Sequence, residues 1–150
     1  MPGIIDGKKD IRRFASYQLP LILYAALVFI VSSISRLPEP EIEFEYLDKL
    51  AHFVEYFIFM LLTIRALANL PVALRGFFLY LSAVIISVLF AALDEYHQSF
   101  IANRKADIYD LLADSAGIML GAVIHFFHFR RKQSRSCLSA GDQPLEKTGK

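Results

Sequence analysis

A chain of 150 residues carries four apolar stretches, 17–35, 50–70, 74–93 and 108–129. Each is about 20 residues long, enough to cross roughly 30 Å of hydrocarbon at 1.5 Å per residue. Charged residues collect between them. Hydrophobic residues make up 55% of the chain and the mean hydropathy is +0.43, more than a single water-soluble core of this size needs. Inside a bilayer every backbone donor and acceptor must be satisfied within the segment or its neighbours, which leaves helices as the solution for short spans. The expected fold is therefore all-α, an integral membrane four-helix bundle. It divides into an N-terminal lead (1–16), a four-span membrane domain (17–129) and a polar C-terminal tail (130–150) whose composition reads as disordered.

Lys and Arg set the expected direction of the bundle. Twelve of the 16 lie before the first stretch, near the ends where the second and third are joined (Arg65 and Arg75), or after the fourth, and the other four are Arg36, Lys49, Arg104 and Lys105. That bias, with an even number of spans, puts both termini in the cytoplasm and makes the lead and the tail cytoplasmic. A cleaved leader ending near Ser32 and Ser33 is the competing reading. The apolar run from Leu19 to Ile34 is long for a leader, and it lacks small residues of the A-x-A type, so an uncleaved first span is preferred. Several function classes drop out. Net charge is only +1, so no broad basic surface points to nucleic acid, and the single cysteine, Cys137, rules out an internal disulfide framework.

Polar side chains inside or at the rim of the spans are costly and are functional candidates by default. The second span opens with Asp48, Lys49, His52, Glu55 and Tyr56. Asp48, His52, Glu55 and Tyr56 stand at i, i+4, i+7 and i+8, on one helical face. The third span ends in Asp94, Glu95, His97 and Gln98, where a carboxylate reaches an imidazole and an amide one turn on. The fourth carries Asp107, Asp110, Asp114, Gly117 and Gly121 at 3-4-3-4 spacing, an arc of roughly 80°. That face begins acidic and ends in bare backbone suited to close helix packing. Asp114 lies more than a turn inside the span and needs a partner, for which His52, Lys49 and Arg104 are available from the same side. Arg104 and Lys105 run against the orientation bias, which favours a specific role such as pairing with the nearby carboxylates. Alternating acidic and apolar residues between 39 and 46 suit an extended connection. His125 and His128 read as interfacial residues rather than a metal pair.

Three ordered motifs run across the last three spans: Asp48-Lys49-x-x-His52-x-x-x-Tyr56, Asp94-Glu95-x-x-Gln98-x-Phe100 and Arg104-x-x-Asp107-x-x-Asp110, the last followed by Gly117 and Gly121. In this the chain resembles the VanZ-like family of small bacterial membrane proteins, over roughly residues 47 to 121. The family pattern usually has asparagine where this chain has Asp114. The resemblance implies a multi-pass protein of the bacterial cytoplasmic membrane with a cell-envelope role. The family takes its name from a protein linked to teicoplanin resistance, and that phenotype is not carried over.

The motifs converge on one outward-facing polar pocket that binds, and in one reading modifies, a lipid-linked or amphiphilic envelope molecule. Lys49 and Arg104 would hold a phosphate or carboxylate. Tyr56, Gln98, Asp107, Asp110 and Asp114 would complete the ligand contacts. The candidates for acid–base work are His52, Asp48, Asp94 and Glu95, with His52 as the base. No nucleophile is evident, so water activation or pure binding fits better than a covalent intermediate. A divalent ion on Asp48, His52, Asp94 and Glu95 has no strict ligand spacing behind it, and neither metal nor cofactor is assigned. The expected partners are membrane lipids. A non-enzymatic structural or interaction protein is the alternative, and a small proton-coupled transporter comes third.

Overall fold

The computed structural model describes residues 7–34, 44–72, 74–102, 104 and 107–141, with side chains described for 7–34, 46–72, 74–102, 104 and 107–129. All the regular structure in these residues is helical: α1 (Gly7–Tyr17), α2 (Leu19–Ser32), α3 (Phe44–Ala68), α4 (Gly76–Gln98) and α5 (Ile108–Gly141). Four segments are long and apolar enough to cross a membrane: Gly7–Ser32, Tyr46–Ala68, Gly76–Gln98 and Ile108–Phe129. They run from 22 to 26 residues, or ~33–39 Å as ideal helix.

The burial pattern suits lipid rather than water. Large apolar side chains such as Leu23, Ile30, Phe77, Leu89, Leu112 and Phe127 face outward, whereas Ser32, His52, Asp94, Glu95, Gln98, Asp110 and Asp114 are buried. In water such an apolar surface would drive aggregation. In a bilayer the tails solvate it, and helix association falls to close packing and interhelical hydrogen bonds.

Close packing is what α5 supplies to α3. A Cβ added at Gly117 would collide with the backbone carbonyl of Phe53 and meet the Phe57 nitrogen at 3.0 Å. One at Gly121 would sit 3.1 Å from the Phe57 carbonyl and 3.2 Å from the Met60 Cβ. The two glycines thus let the α5 backbone lie on α3. Around that seam the core gathers Tyr56, Phe59, Met60, Ile64, Ala83, Ala91, Ile118 and Ala122, with the Phe59 and Phe90 rings stacked at 4.6 Å. Ser87 is buried on α4 and donates to Met60 Sδ at 3.6 Å.

The element boundaries depart from the expected ones in instructive ways. The helical lead begins at Gly7 and turns at Gln18 into α2, which carries a proline in its first turn. Pro20 has no N–H to give the Ser16 carbonyl four residues back. The Arg65 guanidinium fills that role, donating from Nη2 to the Ser16 oxygen at 3.1 Å. Arg13 repays the same end of α3, donating to the carbonyls of Asn69 at 2.8 Å and Leu70 at 2.9 Å, where the helix dipole favours a cation. Gly76 opens α4 at φ +57, a left-handed conformation that glycine adopts without a Cβ clash.

At its other end α4 continues past Leu93 to Gln98, so Asp94, Glu95 and Gln98 belong to the helix itself. The charges do not end it, because hydrogen-bonding partners from α2 and from the connection to α5 take them up. Likewise α3 begins at Phe44, ahead of the expected Leu50. The tail expected to be disordered from Arg130 is helical as far as Gly141. Neither glycine nor proline interrupts 130–140, and Gly141 is the first glycine or proline after Gly121. The acidic alternation at 39–43, Lys105 and the tail beyond Gly141 lie outside the described residues.

Candidate functional site

Four helix ends meet at one end of the bundle: the C-terminal ends of α2 and α4 and the N-terminal ends of α3 and α5. At the centre, His52 Nδ1 stands 3.0 Å from Asp114 Oδ1, and both side chains are buried. Of the partners open to Asp114, it is the imidazole that the helix rotation delivers. The hydrogen bond between ring and carboxyl group fixes the orientation of the ring.

Asp94 organises a second part of the site. Its Oδ2 accepts from Ser32 Oγ at 2.8 Å and from Gln98 Nε2 at 3.0 Å. Gln98 can reach Asp94 because the two stand at i and i+4 on α4. Its amide also contacts Ser32 Oγ at 3.3 Å, and its Oε1 accepts from Arg104 Nη1 at 2.7 Å. Glu95, one position on, points towards α5, where its Oε2 accepts the Asp107 backbone N–H at 3.1 Å.

Lys49 sits at the rim, with Nζ 3.3 Å from Asp107 Oδ2 and 3.5 Å from Asp110 Oδ1 and 6.0 Å from the Tyr109 ring centroid. Asp107 has a second task. Its Oδ1 accepts the Tyr109 N–H at 2.9 Å, capping the first turn of α5 as an N-terminal aspartate does. That backbone N–H, helped by the Lys49 ammonium, holds the Asp107 carboxyl below the usual aspartate range.

The residues singled out in the sequence therefore gather, but with roles of their own. Lys49 and Arg104, expected to grip an anion, already face Asp107, Asp110 and Gln98. Asp48 is half-buried and within 4.8 Å of donor atoms of His52 and Asp110. Tyr56 is fully buried one turn below His52, and its hydroxyl has no hydrogen-bond partner. Asp94 Oδ1, Glu95 Oε1, Asp114 Oδ2 and Arg104 Nε are also buried without partners. Gly117 and Gly121 lie deeper along the same face of α5 and serve the helix seam.

Ser32 escaped the sequence reading. It is buried, and its hydroxyl ties the first span to Asp94. Beside it, Ser33 Oγ lies 3.0 Å from His97 Nε2, and Phe29 stacks on the His97 ring at 4.1 Å. Two serines ending an apolar run were the available signal, and serine there is ordinary. At the far end of the bundle, His125 Nδ1 meets the Tyr80 hydroxyl at 3.0 Å, while His128 is exposed.

Among the described residues, two groups of side chains have donor atoms close enough to share a cation: Asp48, His52 and Asp110, and His52, Glu95 and Asp114, with the atoms of each group within 4.8 Å of one another. Only the second is buried throughout.

Comparison with known proteins rests on the family level. No curated protein and no solved structure matches the chain. The sequence model of one family, VanZ/LLP1, matches residues 8–129, which takes in all four spans and every polar residue of the site. The chain belongs to the VanZ/LLP1 family of multi-pass membrane proteins.

Proposed function

We propose that this is a protein of the bacterial cytoplasmic membrane, with both termini in the cytoplasm, whose polar end opens to the outer face. There it binds the head group of a lipid-linked or amphiphilic envelope molecule. Twelve of 16 Lys and Arg residues favour that orientation, and Arg13 and Arg65 lie at the end opposite the site.

One observation supports binding over a purely structural network. Buried polar groups that serve only to hold a fold are nearly always satisfied. Among the described residues six buried side-chain atoms lack partners, and five of them belong to this site: Tyr56 OH, Asp94 Oδ1, Glu95 Oε1, Asp114 Oδ2 and Arg104 Nε; the sixth, Gln18 Oε1, lies at the other end. A ligand bringing its own donors and acceptors would satisfy them. The Lys49–Asp107 pair at the rim is partly exposed, at 26% and 34%, and is where such a head group would enter. A chemical step on it would fall to His52, oriented by Asp114 as a general base for water. The acid-rich setting fits water activation better than attack by Ser32, whose hydroxyl is held by Asp94 and Gln98.

The test is complementation of a strain lacking the chain, scored by resistance to envelope stress. His52→Ala and Asp94→Ala should fail to complement while folded protein remains in the membrane. Loss of folded protein in both would favour the structural network instead. Proton flux in liposomes that Asp114→Asn abolishes would favour transport.

A further inference from the structure

We propose that His52, Glu95 and Asp114 form a site for one divalent transition-metal ion of the Zn2+ class. Three helices supply the three donors, and all three side chains are buried with one donor atom each within 4.8 Å of the others. An imidazole nitrogen with two carboxylates is a donor set that suits zinc better than magnesium or calcium, which favour oxygen alone. Three protein ligands leave a coordination position for water or a head-group oxygen.

The acidic cluster does not stand alone in pointing to a ligand. Asp114 Oδ2 and Glu95 Oε1 are buried without a partner, and these two residues are only 1% and 6% exposed. The Tyr56 hydroxyl, on a residue 0% exposed and one turn below His52 on α3, is likewise unpartnered. The charge balance agrees. Among the described residues, seven acidic side chains, Asp48, Glu55, Asp94, Glu95, Asp107, Asp110 and Asp114, gather in this region against Lys49 and Arg104, whose heads face Asp107, Asp110 and Gln98. A divalent ion offsets that excess where burial makes it most costly. The Glu95 carboxylate is also oriented from outside the triad, by the Asp107 N–H on its Oε2, as outer contacts commonly orient metal ligands. With an ion bound, His52 is a ligand rather than a base, and acidification of bound water passes to the metal.

The site goes beyond the amphiphile reading and does not depend on it. The untagged full-length chain is purified in detergent, stripped with chelator, dialysed against Zn2+ and assayed for metal by mass spectrometry and for melting temperature. One zinc per chain should be retained, with a rise in melting temperature. Glu95→Gln and Asp114→Asn should each weaken binding by at least the ~10–100-fold that loss of an outer-shell contact costs. His125→Ala, at the far end, should bind as wild type does. X-ray absorption at the zinc edge of the wild-type protein should show one imidazole and oxygen ligands, a result that needs no variant to fold. Folded wild type that retains no zinc overturns the proposal, as do variants that bind unchanged or a spectrum of thiolate or several imidazoles. Metal-free protein that still carries an amphiphile overturns this site alone. Zinc-loaded protein that carries none overturns only the amphiphile reading.

Discussion

His52 Nδ1 and Asp114 Oδ1 lie 3.0 Å apart across the α3–α5 seam although 62 positions separate them in the chain. Breaking a buried pair of this kind leaves one polar group without compensation, at a cost of about 3–5 kcal/mol. Asp114→Ala should therefore lower the melting temperature of the detergent-solubilised protein strongly. Asp114→Asn keeps an amide that can hydrogen-bond the ring nitrogen and should lose far less. Equal losses in the two variants would show that the hydrogen bond is not what holds the pair.

The glycines on α5 should rank in the order of their clearances. Gly117→Ala drives a methyl group into the Phe53 carbonyl, which is backbone and cannot turn aside. Gly121→Ala meets the Phe57 carbonyl at 3.1 Å and the flexible Met60 side chain. Overpacking costs typically ~1–3 kcal/mol, or more where nothing can move. Thermal unfolding should show the larger loss at Gly117.

These two features differ in how legible they were. The α5 stripe of Asp107, Asp110, Asp114, Gly117 and Gly121 could be read from its spacing, because a helical face is a matter of periodicity alone. So could the face of α3 that bears His52. Pairing could not, since it depends on how far each helix is rotated and how deep it sits. That is why Lys49 looked free for a phosphate when it faces Asp107 and Asp110. The end of α4 lies beyond the apolar stretch that stops at Leu93 for a related reason. Asp94, Glu95 and Gln98 look like a helix end in water until Ser32, Arg104 and the Asp107 N–H are seen to meet them. Ser32 itself carries no periodic signal.

At the opposite end, Arg65 stands in for the donor that Pro20 lacks, at 3.1 Å from the Ser16 carbonyl. Arg65→Ala should destabilise the α1–α2 joint by no more than the ~1.5–3 kcal/mol of a hydrogen bond to a charged donor, since this one is exposed. In a Pro20→Ala background the backbone N–H returns and the same substitution should cost less. A double-mutant cycle in thermal unfolding measures this coupling. Additive losses would mean that Arg65 acts on something other than the Ser16 carbonyl.

The proposed orientation has its own check. A periplasmic reporter enzyme fused after Arg75 should be inactive, and one fused after Phe100 should be active. Activity at Arg75 would turn the polar end towards the cytoplasm and remove the outward-facing pocket.

Whether the polar end holds an envelope amphiphile is answered most directly by native mass spectrometry of the full-length protein released gently from its own membrane. Wild-type protein should carry an amphiphile adduct, and folded His52→Ala and Asp94→Ala should lose it. Wild type released without an adduct, or both folded variants retaining it undiminished, would contradict binding at this site.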